Sequence, residues 1–110
     1  MEIDFRKEGR AQIASVKGRI DAVTAPEFEK KMLEVIEQGE RTILINMSGL
    51  EYISSAGLRS ILTIAKKLKA ENGEVFFAAL QGAVEEVFKI SGFHSIFKVF
   101  DSEKSALEKI

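Results

Sequence analysis

The sequence contains no cysteine, and it has only one histidine and three aspartates. The missing thiols exclude disulfides, thiolate nucleophiles and most zinc sites. The single histidine, His94, has no acidic cluster beside it, so a structural role is favoured and no catalytic triad can be assembled. We therefore predict no catalytic residue, no metal and no cofactor, and we expect that the chain is not an enzyme.

Motifs for binding nucleotides are also missing. No Gly-x-Gly-x-x-Gly sequence follows an apolar run, and no glycine-rich loop leads to a lysine as it does in Walker-type ATPases. A two-component response regulator would carry a phosphorylatable aspartate at the end of its central strand, where this chain has Asn46. These observations argue against dinucleotide-binding enzymes, phosphate-loop enzymes and response regulators.

Neither sign of charge is in excess, because 16 basic and 17 acidic side chains leave a net charge of -1. Such a balance gives no general attraction to nucleic acid or to an anionic membrane. Lys66, Lys67 and Lys69 are followed closely by Glu71 and Glu74, so we interpret them as a solvated face. No apolar run approaches the roughly 20 residues that span a bilayer, and the first residues lack the features of a secretion signal. A cytoplasmic protein is expected.

The apolar periodicity predicts one α/β domain over residues 1–110. The expected order is β-β-α-β-α-β-α-β-α, which implies a mixed sheet of four to five strands with about four helices packed on it. A hairpin turns near Gly9, and Thr24 and Glu27 have the spacing of a capping box at the start of the first helix. The apolar stripe of that helix consists of Phe28, Met32, Val35 and Ile36.

The central stretch of the chain runs from Thr42 to Leu62. Its apolar run, Ile43-Leu44-Ile45, is typical of a strand that is covered on both faces. We expect this strand to lead through a loop into a helix that begins near Ser54. The predicted core face of the helix consists of Leu58, Ile61, Leu62, Ala65 and Leu68.

Two serines lie at the predicted start of this helix, where backbone N–H groups lack partners and the helix dipole is positive. If Ser54 is the N-cap, Ser55 occupies the first helical position and its hydroxyl can point outward. Ala56 and Gly57 then complete the first turn, and their small size leaves room for another molecule to approach. The simpler alternative is that the serines only cap the helix.

Residues 45–58, INMSGLEYISSAGL, resemble the signature of STAS domains, in particular the single-domain bacterial anti-sigma factor antagonists. Residues 18–21, Gly-Arg-Ile-Asp, followed by Thr24 and a helix, are similar to the first strand-to-helix junction of that family. The family's usual form is Asp-Ser-Ser/Thr-Gly-Leu, in which the serine after the aspartate is phosphorylated. Aligned on Gly57 and Leu58, the acceptor is Ser55, and Ser54 stands where the aspartate is usual.

The resemblance implies a protein-binding switch in transcription regulation. The partner would be an anti-sigma factor with serine kinase activity, a sigma factor would be released when that partner is bound, and a phosphoserine phosphatase would restore binding. Ser55 is the implied phosphorylation site, with Ser54 as the second possibility. The implied partner-binding residues are Asp21, Ser54, Ser55, Ala56, Gly57 and Leu58. Two alternatives remain open: a constitutive STAS subunit of a transporter ATPase, and a small-molecule sensor.

Overall fold

A five-stranded sheet with the strand order β1-β2-β3-β4-β5 forms the centre of the computed structural model, which describes residues 1–110. The strands are β1 (Glu2–Glu8), β2 (Ala11–Ile20), β3 (Thr42–Ile53), β4 (Glu74–Ala78) and β5 (Lys98–Phe100). The helices are α1 (Ala25–Glu37), α2 (Ser55–Ala70), α3 (Gly82–Ile90) and α4 (Glu103–Lys109). A 3-10 turn, Phe93–Ser95, precedes β5. The predicted fold class and element order are confirmed.

Strand β1 is antiparallel to β2, and the remaining neighbours are parallel. Gly9 makes the hairpin turn with a φ of +58°, a backbone conformation that glycine adopts without steric cost. Because β2, β3, β4 and β5 run in the same direction, their carboxyl ends meet at one edge of the sheet and their amino ends at the other.

The central strand separates two apolar layers. Ile43, Ile45 and Met47 belong to the larger cluster, which is covered by α1, α2 and α3. Leu44 points to the opposite face, where a smaller cluster includes Ala106 of α4. All four β3 side chains are fully buried, which confirms the prediction of a strand covered on both faces.

The predicted loop between the central strand and Ser54 is wrong, because β3 continues as a strand to Ile53. The second half of β3 pairs with β2 as far as Ile53, whose partner is Ile20. The pairing contains two register shifts, and at each of them β3 has one residue more than β2. The side chain of Asn46 also stabilises this half, since its Oδ1 accepts a hydrogen bond of 2.9 Å from the N–H of Ser48.

The core face of α2 differs from the prediction at two positions. Leu62 is 41% exposed, whereas Ile64 is 1% exposed. The residues that face the sheet are Gly57, Ile61, Ile64 and Leu68 at spacings of four, three and four, so Leu62 lies beside this stripe. None of the helices combines the length and the apolar character that crossing a membrane requires.

Candidate functional site

Two strand-to-helix junctions lie side by side at the carboxyl edge of the sheet. Ile20 and Ile53 are paired residues at the ends of β2 and β3, and the N–H of Ser54 donates a 2.9 Å hydrogen bond to the carbonyl oxygen of Ile20. One turn further into α2, the hydroxyl of Ser60 lies 3.5 Å from the carbonyl oxygen of Ala25, the first residue of α1. The turn 21–24 is therefore held beside the first turns of α2.

The two serines at the start of α2 have different roles. Ser54 is the N-cap: its backbone is extended, and its Oγ accepts a hydrogen bond of 3.4 Å from the N–H of Gly57. Ser55 is the first helical residue, its side chain is exposed, and its hydroxyl makes no hydrogen bond within the protein. The geometry predicted for the pair, with Ser54 as the cap and Ser55 at the first helical position, is confirmed.

Gly57 has a packing role that sequence reasoning missed. It is buried, and a Cβ atom added to it would lie 2.6 Å from Cγ1 of Ile53 and 2.8 Å from Cγ2 of Ile20. The glycine therefore lets α2 approach the ends of β2 and β3 closely. Because it faces inward, the expectation that Gly57 opens space for another molecule is wrong. Ala56 and Leu58 are half-buried against the core, and they expose part of their surface.

The carboxylate of Asp21 organises the neighbouring turn. Its Oδ1 accepts hydrogen bonds from the N–H groups of Val23, at 3.0 Å, and Thr24, at 3.1 Å. Both bonds hold the pKa of the Asp21 carboxyl below its usual value, and the bond from the Thr24 N–H makes the larger contribution. The Thr24 hydroxyl accepts from the Asp21 N–H and donates to the carbonyl oxygen of Arg19, both at 2.9 Å. The predicted capping box at Thr24 is therefore absent, since its side chain closes the turn instead.

Three exposed side chains beside this turn were not among the predicted site residues. The Arg19 guanidinium lies over the ring of Tyr52, with its Cζ 4.3 Å from the ring centre, and Arg19 Nε lies 3.9 Å from Asp21 Oδ2. Val23 is 86% exposed. The chain's only tyrosine was a signal in the sequence. We call Arg19, Asp21, Val23, Tyr52 and Ser55 together the junction surface.

The start of α2 is suited to holding negative charge. Its first turn contains no acidic residue, and its N–H groups lie at the positive end of the helix dipole. Asp21 is the one acidic residue of the junction surface, and its carboxylate accepts hydrogen bonds from backbone N–H groups of its own turn. An anionic group on the Ser55 oxygen would therefore meet a favourable field at the surface.

Comparison with known proteins supports a family assignment. The model of the STAS domain matches residues 2–106 of the chain. A protein of Bordetella bronchiseptica named as a candidate anti-sigma factor antagonist, BtrV, is 38% identical over 106 residues, covering 96% of this chain and 91% of its own length. The anti-sigma-B factor antagonist of Staphylococcus aureus is 23% identical over 99 residues, or 90% of this chain and 92% of that protein.

Solved structures share the fold. A candidate anti-sigma factor antagonist of Thermotoga maritima superposes with a TM-score of 0.93 at 21% identity, covering 98% of this chain and 93% of the other. The phosphorylated form of the Bacillus cell fate determinant SpoIIAA gives a TM-score of 0.76 at 21% identity and 98% coverage of both chains. A sulfate transporter family protein of Wolinella succinogenes gives 0.79 at 17% identity, covering 93% and 85%. At 17–21% identity, the similarity to these three structures shows a shared fold and nothing further.

Proposed function

This chain belongs to the STAS domain family, and we propose that it is an anti-sigma factor antagonist whose binding to its partner is switched off by phosphorylation of Ser55. In the unphosphorylated state it binds an anti-sigma factor that is also a serine kinase, and a sigma factor is released. Phosphorylation by that kinase ends the binding, and a phosphoserine phosphatase restores it. The observation that carries the proposal is the free, exposed hydroxyl of Ser55 on the junction surface.

The relatives support the class of function. Both the 38% identical protein and the more distant relative that we compare are named as anti-sigma factor antagonists, and each alignment covers at least 90% of the chain. The resemblance of the residues around Ser55 to the family signature supports the position of the switch.

Electrostatics explains how one phosphoryl group can act as a switch here. It adds a charge of about -1.5 to -2 and three acceptor oxygens. At the N-terminus of α2 these oxygens can accept hydrogen bonds from backbone N–H groups, so the fold tolerates the modification. A partner that packs on the junction surface would have to desolvate this charge or place its own carboxylates beside it, which costs several kcal/mol.

The geometry favours Ser55 over Ser54 as the acceptor. The oxygen of Ser54 already accepts a hydrogen bond from the N–H of Gly57 and is only half accessible. A phosphoryl group on that oxygen would disturb the cap, whereas the same group on Ser55 replaces no contact. Ser54 stands where the family usually has an aspartate, so the partner kinase has to recognise a neutral residue before the acceptor.

An in vitro reconstitution tests the proposal. The protein is first used to capture its partner from the cell that encodes it, and the captured protein is identified by mass spectrometry. Incubation of the purified partner with ATP should then add one phosphate to the parent protein and none to Ser55→Ala, while Ser54→Ala remains a substrate. Capture of a transporter ATPase without phosphorylation would support the alternative of a constitutive transporter subunit.

A further inference from the structure

A cavity of about 550 Å³ lies at the amino ends of the parallel strands, at the edge of the sheet opposite to the junction surface. It is bounded by the last turn of α2, by the starts of β3, β4 and β5, and by residues 96–98. Its volume is in the range of sites that hold small organic molecules. The proposed switch at Ser55 makes no use of this cavity.

The cavity is strongly basic for a chain whose net charge is -1. Four cationic side chains line it: Arg10, Arg41, Lys69 and Lys98. The single carboxylate, Glu74, is already paired with Lys98, at 3.5 Å between Oε2 and Nζ. The other three cations take part in no ion pair of the structure.

Arg41 is the most firmly held of these cations. Its Nη1 donates hydrogen bonds to the carbonyl oxygens of Ile36, at 2.8 Å, and Glu40, at 2.9 Å, so the half-buried guanidinium is held in place. The Nη2 and Nε groups make no hydrogen bond within the protein. The carboxylate of Glu40 pairs with Lys7 rather than with Arg41. A fixed guanidinium with free donors suits a planar or tetrahedral anionic group.

Apolar residues also line the cavity. Ala65, Phe76 and Phe97 contribute to the wall, and Ile96 is 60% exposed at this site. The side chain of Ile96 is therefore largely uncovered at the cavity. Because both cationic and apolar side chains line the cavity, its lining suits a ligand that has an anionic group and an apolar body.

We propose that this cavity binds a small organic anion, in which a carboxylate, phosphate or sulfonate group is attached to an apolar or aromatic body. The anionic group contacts Arg41, Arg10 and Lys69, and the apolar body covers Ile96 and Phe97. Binding here is independent of the Ser55 switch, because the site lies at the other edge of the sheet.

A fluorescent probe with this chemistry tests the proposal directly. In a titration with 1-anilinonaphthalene-8-sulfonate, an aromatic sulfonate, we expect saturable binding of one molecule by the folded parent protein. The neutral analogue N-phenyl-1-naphthylamine should bind more weakly, by roughly tenfold or more, because it lacks the partner for the cations. Equal binding of the two probes would overturn the assignment of an anion site.

Charge-reversal variants locate the site. Lys69→Glu and Arg10→Glu, on separate elements, should each weaken binding of the sulfonate by roughly tenfold or more. Lys66→Glu is the matched control, since Lys66 is exposed on the same helix and does not line the cavity. Thermal melts establish that each variant is folded. Equal weakening by Lys66→Glu would mean that only net charge matters, and the proposal would fail.

Amide chemical shifts give an independent test of position. On adding the sulfonate, the amides of Asn72, Gly73 and Ile96 should shift, while that of Ser55 should not. Shifts confined to the junction surface, or an absence of shifts at the cavity, would contradict the proposal without bearing on the switch at Ser55.

Discussion

The N–H of Ser54 donates a hydrogen bond of 2.9 Å to the carbonyl oxygen of Ile20, which joins the start of α2 to the end of β2. Together with the pairing of Ile20 and Ile53, this bond places the turn of Asp21 beside the first helical turn, which carries Ser55. The junction surface is therefore built from two chain segments, residues 19–23 and 52–55, and its geometry depends on the pairing of β2 with β3.

Alanine substitutions at the two serines should have different effects on stability. Ser54→Ala removes the cap of α2 and should lower the free energy of unfolding by about 0.5 to 2 kcal/mol. Ser55→Ala removes no hydrogen bond, so its effect should stay within roughly 0.5 kcal/mol. Urea denaturation of the two variants measures the difference. The opposite ranking would mean that the cap and the exposed serine are interchanged.

Gly57→Ala tests the close packing of α2 on the strands. Helix propensity alone predicts a gain of roughly 1 kcal/mol in stability. The added Cβ would meet Ile53 at 2.6 Å, and overpacking of a core typically costs about 1 to 3 kcal/mol. We therefore expect a net loss of stability, measured by thermal or urea denaturation. A stabilised variant would show that the contact with Ile53 relaxes easily.

Glu103→Gln should destabilise the protein in a pH-dependent way. The Glu103 carboxylate accepts hydrogen bonds from Arg6 and, at 2.9 Å, from Asn46, and the Arg6 contact is the main reason that its pKa is lowered. A lowered pKa in the folded state means that the stabilisation is present above the ordinary glutamate pKa of 4.5 and is lost as the pH falls through the folded value. The melting temperature of the variant should be lower than that of the parent at pH 7, and the gap should close in acid.

The matched control for this experiment is Glu108→Gln, because Glu108 is exposed on the same helix and makes no ion pair. Its melting temperature should follow that of the parent at all pH values. A gap for Glu103→Gln that stays constant between pH 7 and pH 3 would contradict the role assigned to its charge.

Val23→Ser tests whether the junction surface contacts the partner. Val23 is 86% exposed, so the substitution should leave stability within roughly 0.5 kcal/mol of the parent. If the valine is buried by the anti-sigma factor, affinity should fall roughly fivefold or more. Ile90→Ser is the matched control, since Ile90 is 81% exposed at the opposite edge of the sheet. Calorimetric titration measures the affinity of both variants for the anti-sigma factor. Equal losses of affinity would remove the evidence that Val23 contacts the partner.

Local patterns were enough to predict the order of elements and the central strand. The apolar run Ile43-Leu44-Ile45 has few alternatives to a doubly covered strand, and Ser54 followed by an apolar stripe is typical of a helix start. The second half of β3 was missed because its residues alternate weakly and include polar side chains such as Ser48 and Glu51. Those residues are extended because β2 pairs with them, and that pairing cannot be read from β3 alone.

The candidate site, too, could be predicted only where local sequence patterns determine it. The separate roles of Ser54 and Ser55 follow from their positions at a helix start, so they could be predicted. The inward orientation of Gly57 depends on Ile20 and Ile53, which are brought together only by the tertiary fold. The stacking of Arg19 on Tyr52 likewise requires the β2–β3 register, in which these two residues are partners.

The most direct test of the switch is the affinity of the anti-sigma factor for the parent protein, Ser55→Ala and Ser55→Asp, measured by calorimetry. An aspartate in the first turn interacts favourably with the helix dipole, by roughly 0.3 to 1 kcal/mol, so Ser55→Asp should be at least as stable as the parent. We predict that Ser55→Ala binds like the parent and that Ser55→Asp binds more weakly, with a partial effect because a carboxylate carries less charge than a phosphoryl group. Equal affinity of all three proteins would contradict the proposed switch at Ser55.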